Sequence, residues 1–125
     1  MHELSICQAL MTQVEQVVRQ KGAARVISIT LQVGPLSGVE GRLLSDAFVF
    51  AAAGTPASAA QLVIESMPVR IWCTVCERET DALPNRLVCG HCGAFRTRLV
   101  SGDELLLKSL ELELDAPGGA DPRPG

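Results

Sequence analysis

Aromatic side chains are scarce in this chain: Phe48, Phe50, Trp72 and Phe95 are the whole set, 3% of 125 residues. Recognition of single-stranded nucleic acid by base stacking needs more aromatic surface than that. A basic excess is missing as well, since the formal net charge is −3, whereas a general nucleic-acid binder carries a basic domain. No apolar run approaches the ~20 residues that cross a bilayer, so no membrane span is expected. Residues 1–20 lack the basic segment, uninterrupted apolar run and small-residue cleavage site of a signal peptide. The expected compartment is therefore the cytoplasm, where cysteines stay reduced. His2 and His91 are the only histidines, and no Ser/His/Asp or Cys/His constellation can be placed around them. The G-x-x-x-x-G-K-[ST] phosphate loop is also absent. An enzyme is not expected. The length and a hydrophobic content of 47% suit one modest core plus a metal-stapled module.

What the chain does have is cysteine in a pattern. Cys73/Cys76 and Cys89/Cys92 form two C-x-x-C pairs with twelve residues between them. Two thiolate-bearing turns at that spacing fold against each other as a tetrahedral cage, the geometry zinc prefers. Gly90 and Gly93 are expected to supply the unusual backbone dihedrals of the second turn, and the intervening residues suffice for a short hairpin. Redox dithiols are the weaker reading, because neither pair opens a helix within a βαβ unit. Disulfides would need an oxidising compartment. Iron suits four thiolates too and stays open as the alternative ion. His91, between the last two cysteines, reads as an exposed turn residue that could join the metal under strain or low pH.

The rest reads as a small α+β fold. A helix is predicted over residues 5–20, with Ile6, Cys7, Leu10, Met11, Val14, Val17 and Val18 on one stripe. Ser5 with Gln8 reads as its capping box, and Lys21-Gly22 as its stop. Cys7 belongs to the packing stripe rather than to any chemistry. Residues 25–33 alternate as a strand, with Ile27, Ile29, Leu31 and Val33 on one face. A second helix is expected over 42–53, offering Leu43, Leu44, Ala47, Phe48 and Ala51 to the core. Strands are expected over 61–67 and 104–114, the last with Leu106, Leu110, Leu112 and Leu114 on one face and Lys108 as a misfit. The expectation is thus a three-stranded sheet covered by two helices, with an inserted zinc-ribbon-like module of four cysteines. The domains would be 1–70 with 99–114, the zinc-binding segment 71–98, and a disordered tail over 115–125, rich in Pro and Gly.

The start, Met1-His2-Glu3, offers a second metal chemistry. Imidazole Nδ1 and the backbone nitrogen of His2 can close a six-membered chelate, and adjacent main-chain nitrogens close five-membered rings. A nearly planar nitrogen set of this kind favours Ni²⁺ or Cu²⁺ over zinc. By itself, a histidine at position 2 is also an ordinary solvated terminal residue.

Met1-His2-Glu3-Leu4-Ser5, Val33-Gly34-Pro35-Leu36-Ser37-Gly38-Val39-Glu40, Gly54-Thr55-Pro56, the two C-x-x-C pairs and Ser101-Gly102-Asp103-Glu104-Leu105 together resemble the HypA/HybF family of hydrogenase nickel-incorporation proteins. The likeness runs in order from residue 1 to about residue 114. It implies that His2 is the indispensable nickel ligand, that Glu3 assists, and that Glu40 is a further candidate, some members having Asp there. It also implies zinc at Cys73, Cys76, Cys89 and Cys92, and delivery of nickel to the large subunit of a [NiFe]-hydrogenase. A maturation GTPase is the implied partner, and some relatives serve urease as well.

The competing class is a zinc-ribbon module for nucleic acid or protein. Arg70, Arg78, Arg86, Arg96 and Arg98 lie in or beside the cysteine segment, against Glu77, Glu79 and Asp81. The excess is small, and a solvated mixed-charge surface explains it equally well.

Overall fold

A computed structural model of the chain describes residues 2–114. The elements run α1 (Glu3–Lys21), β1 (Ala23–Val33), α2 (Gly41–Ala52), β2 (Gln61–Ser66), β3 (Arg70–Cys73), β4 (Glu79–Asp81), β5 (Thr97–Ser101) and β6 (Leu105–Leu114). They form two three-stranded sheets, ordered β2-β1-β6 and β4-β3-β5. The chain divides into two compact units; one comprises Gln32–Glu40 and Ile64–Leu106, the other the remaining described residues. The expected tail, residues 115–125, lies outside the described residues.

The two helices cover the first sheet and pack against each other. From α1, Cys7, Leu10, Met11, Val14 and Val18 are buried, and from α2, Leu44, Phe48 and Ala52. The Cys7 thiol donates to the Leu44 carbonyl at 3.4 Å, and burial, with the nearby Glu3 carboxylate second, pushes its pKa up from the ordinary 9.0. It is a packing residue, as its place on the stripe indicates. Gly22 ends α1 at φ 65, with its N–H returning to the last turn.

Three local expectations are corrected. The helix begins at Glu3, because the Ile6 N–H already reaches the His2 carbonyl at 3.0 Å. Ser5 then lies inside the first turn, His2 holds the N-cap without a side-chain bond, and the Ser5/Gln8 capping box does not form. In β1 the buried set is Val26, Ile29, Leu31 and Val33, while Ile27 is exposed. The Val26 N–H donates to the Pro56 carbonyl at 3.0 Å, so the strand is anchored there by a residue off the alternation. In α2, Leu43 is exposed, and the buried line runs Leu44, Phe48, Ala52.

Strand β6 departs from simple alternation in the same way. Leu105 and Leu107 are half-buried, then Leu110 and Leu112, and the phase changes across the exposed pair Lys108-Ser109. Leu106 and Leu114 are consequently 54% and 62% exposed, and Lys108 is no misfit. The exposed side of β6 is tied to β1 by an Arg25–Glu113 ion pair and by the Ser28 hydroxyl on Glu111 at 3.2 Å.

The second sheet was not expected. Central β3 pairs antiparallel with β4, Ile71 opposite Thr80, and with β5, Cys73 opposite Thr97. Its strands are too short for alternation to announce them. Arg70 bridges to Glu79 at 2.7 Å and to Asp81 at 2.6 Å, tying β3 to β4 on the exposed face.

Candidate metal centres

Each C-x-x-C pair is a backbone turn wrapped around its first sulfur. Cys73 Sγ accepts from the N–H groups of Val75 and Cys76, both at 3.4 Å, and the Glu77 N–H closes the turn on the Cys73 carbonyl at 2.9 Å. The second pair repeats this: Cys89 Sγ accepts from His91 at 3.3 Å and Cys92 at 3.4 Å, and the Gly93 N–H reaches the Cys89 carbonyl at 2.9 Å. Both turns leave through a left-handed residue, Glu77 at φ 58 and Gly93 at φ 77. Gly93 thus has the conformational role expected of it. Gly90 does not; its N–H instead donates to Thr80 Oγ1 at 3.0 Å, fixing the second turn to β4.

The two turns face each other. Cys73 and Cys92 sulfurs stand 3.6 Å apart, as do those of Cys76 and Cys89, and all four lie within 4.8 Å of one another. Disulfides are excluded by those separations, since a bonded pair sits at about 2.05 Å. A tetrahedron with metal–sulfur bonds of ~2.3 Å has edges of ~3.8 Å, close to what is found. Cys73 and Cys89 are buried beside Ile71, with Cys76, Ala82 and Ala94 packed against them. Only Cys92 is exposed.

The thiols are electrostatically divided. The Cys76 N–H holds the Cys73 pKa down, and the Cys92 N–H draws Cys89 down to about 6. Burial, with hydrogen bonds to the neighbouring thiols, pushes Cys76 up to about 12. Cys92 receives a lowering hydrogen bond from Ala94, but burial and its contacts with Cys73 and Cys89 outweigh it and leave it raised. Four sulfurs held this close favour a shared cation, which relieves the repulsion of full ionisation.

The other candidate residues are placed as follows. His2 is exposed and stands immediately before α1, with only its carbonyl in the helical ladder. Glu3, the first helical residue, is buried at 6% exposure. Met1 lies outside the described residues. Glu40 is exposed, directly before α2, and belongs to the unit that holds the cysteines. His91 is exposed, as its turn position suggests. Of the arginines considered for nucleic acid, Arg70 is engaged by Glu79 and Asp81. Thr80, which braces the second cysteine turn, carries no signal in the sequence, because it acts through a contact formed only on folding.

Among the described residues no helix is long and apolar enough to cross a membrane. Residues 1–112 match the family described as hydrogenase/urease nickel incorporation, metallochaperone, HypA. The chain is 49% identical over 112 residues to the hydrogenase maturation factor HypA of Nitrosospira multiformis, covering 90% of this chain and 97% of that one. Its counterpart in Aquifex aeolicus is 40% identical over 115 residues, covering 92% and 100%. Among solved structures, the solution structure of the Ni metallochaperone HypA from Helicobacter pylori is similar at TM-score 0.64 and 24% identity, over 92% of this chain and all of that one. A second HypA solution structure has TM-score 0.69 at 25% identity, over 90% and 96%.

Proposed function

The chain belongs to the HypA family of hydrogenase and urease nickel-incorporation metallochaperones, carriers rather than enzymes, and from that membership we propose a specific division of labour between its two metal chemistries. The four-cysteine cage holds zinc as a resident structural ion. The N-terminus binds Ni²⁺ through His2, assisted by Glu3 and backbone nitrogens near Met1 to Glu3, with Glu40 as a further carboxylate. The protein carries that nickel, in the cytoplasm, into maturation of the large subunit of a [NiFe]-hydrogenase, and the same chemistry serves urease maturation proteins. A maturation GTPase supplies the nucleotide hydrolysis, for which this chain has no phosphate loop.

The supporting observation is the contrast between the two places. The cysteine sulfurs converge inside a sheet-backed pair of turns, and a four-thiolate site of that kind is closed, so its ion exchanges slowly. His2 is exposed at a chain end, ahead of the ladder that begins with Ile6, where an ion can be taken up and surrendered. A carrier needs such an asymmetry: one ion that holds the fold, and another that leaves without disturbing it. Zinc when bound supplies only cross-linking of the two turns; orientation of those turns is the work of Thr80 and of the N–H groups on Cys73 and Cys89.

Metal analysis of untagged protein, with a His2→Ala variant beside it, tests the assignment. The parent is expected to hold about one zinc per chain and to take up nickel on addition. His2→Ala keeps the zinc and loses the nickel. The backbone part is tested by nickel absorption spectra across pH, on chains with a native start and with a few residues added before Met1. Binding through amide and imidazole nitrogen releases protons, so affinity falls as pH drops. Octahedral, oxygen-type spectra with no pH dependence would exclude the nitrogen chelate.

A further inference from the structure

The four sulfurs of the cage differ in what surrounds them. Cys73 and Cys89 are buried, and each sulfur accepts two N–H groups from its own turn, Val75 and Cys76 on one, His91 and Cys92 on the other. Cys76 is half-buried and packs against Ile71, Cys73 and Cys89. Of the four, Cys92 alone is exposed, and its neighbours Gly90, His91 and Gly93 are exposed with it. Gly93 borders open space, since a Cβ there would meet nothing within 4 Å. A small solute therefore reaches this sulfur before any other.

The exposed sulfur also touches a sulfur of the other turn. Cys92 Sγ lies 3.6 Å from that of Cys73, 19 residues earlier. The Cys89 sulfur, in the same turn as Cys92, has its own 3.6 Å contact with Cys76. The close pairs thus run between the turns. A shortening of about 1.5 Å would bring the Cys73–Cys92 pair to the ~2.05 Å of a disulfide. Oxidation of cysteine follows thiolate character and exposure, and a metal-ligating cysteine is already a thiolate.

We propose that Cys92 is a hydroperoxide-reactive site and Cys73 its resolving partner, so that oxidation closes a disulfide across the two turns and empties the cage of its ion. The inference rests on the reading of the cage as a zinc site. In the first step the Cys92 thiolate attacks one oxygen of hydrogen peroxide: an S–O bond forms, the O–O bond breaks, hydroxide leaves, and Cys92 becomes a sulfenic acid. In the second, the Cys73 thiolate attacks the Cys92 sulfur: the S–S bond forms, the S–O bond breaks, and a second hydroxide leaves. The two sulfurs together lose two electrons, and the peroxide gains them. Cys73 needs no access to solvent for this, because its target is the adjoining sulfur. Cys76 and Cys89 remain, two ligands where a structural zinc site uses four.

The test is peroxide treatment of the full chain with its cysteine site loaded, read by peptide mass spectrometry and by zinc release. Early in the reaction, a sulfenic-acid trap such as dimedone is expected on Cys92. Without the trap, the first disulfide should join Cys73 to Cys92, with one zinc lost for each disulfide formed and Cys7, buried among the helices, still reduced. Dithiothreitol with added zinc should restore the starting protein. Cys92→His keeps a four-ligand set and should hold its zinc where the parent loses it; should that variant not bind zinc, the peptide map of the parent decides alone. A first adduct on another cysteine overturns the proposal. So does a first disulfide within one turn, Cys89–Cys92 or Cys73–Cys76, or a Cys73–Cys92 disulfide formed with zinc retained. Parent protein that holds no zinc before treatment is a different result and overturns the zinc reading, while the order of cysteine modification still tests the assignment of Cys92 and Cys73.

Discussion

Stripping the metal from the four cysteines should unfold the unit that carries them and spare the helical unit. The reason is the unequal distribution of buried apolar side chains. Cys7, Leu10, Met11, Val14, Val18, Val26, Ile29, Leu31, Leu44 and Phe48 are all buried in the helical unit, whereas the cysteine unit buries Val33, Val69, Ile71 and two of the cysteines themselves. A buried Val or Ile contributes about 1.5–3 kcal/mol, which cannot order β3, β4, β5 and two turns. Zinc binding in small modules is worth on the order of 10 kcal/mol, comparable to a whole domain's stability. Cys76→Ser or chelation removes most of that. Hydrogen exchange read by mass spectrometry after chelation should show the Thr74, Glu77, Cys89 and Gly93 amides, now bonded to Arg96, Cys73, Ala94 and Cys89 carbonyls, losing protection. Peptides from α1 should stay protected. Complete removal of zinc with less than about a tenfold change at those amides, equivalent to ~1.4 kcal/mol, would refute the argument.

Zinc affinity should fall as pH falls, because the bound form needs four thiolates while Cys76, held up near 12, and Cys92, also raised, are protonated in the metal-free turns at neutral pH. At least two protons leave on binding, so competition titrations should show roughly a 100-fold or steeper change per pH unit near neutrality; a flat profile would contradict the division of the thiols. Cys7 has the opposite linkage to folding: its pKa is raised in the fold, so its stabilisation is complete below the ordinary 9.0 and is lost as pH rises through the folded value. Denaturant midpoints of parent and Cys7→Ala should converge above that pH. Leu44→Ala, at a fully buried site on α2, should cost about 2–5 kcal/mol without altering zinc content. Glu77→Gly should stabilise by roughly 0.5 kcal/mol, the left-handed penalty of ~1–2 kcal/mol being partly offset by the extra freedom of unfolded glycine; a loss of stability there would mean that the Glu77 side chain supports the turn.

The elements legible in the sequence were those whose burial is periodic over several turns or residues. The α1 stripe and the strands at 25–33, 61–67 and 104–114 announced themselves, and all three strands join one sheet. Phase was less legible than existence. In β1 the buried residue at the strand's start is Val26, and in β6 the half-buried leucines change parity across Lys108-Ser109. A run as leucine-rich as residues 105–114 contains an apolar residue for either phase, so the pattern alone does not choose between them. The sheet β4-β3-β5 was illegible for another reason: β4 has only three residues, and its pairing is held by Arg70 with Glu79 and Asp81 and by the cysteine turns.

Legibility of the sites follows the same division between local and long-range determinants. C-x-x-C is a local code: the turn geometry that brings both N–H groups onto the first sulfur is written in four consecutive residues, and doubling it specifies the cage. The chelate proposed at His2 and Glu3 is local too, since one built on consecutive backbone nitrogens needs no fold to assemble it. Gly34 and Gly102 are the opposite case. Only the fold reveals that the space each leaves empty is filled by, or presses against, another stretch of the chain. A glycine required by φ can be suspected from its neighbours, whereas a glycine required by a crossing cannot, because the atom that excludes its side chain belongs to a distant part of the chain. The close approach at Gly34 is therefore found by asking what a Cβ would strike, and the cysteine cluster by asking what the sequence repeats.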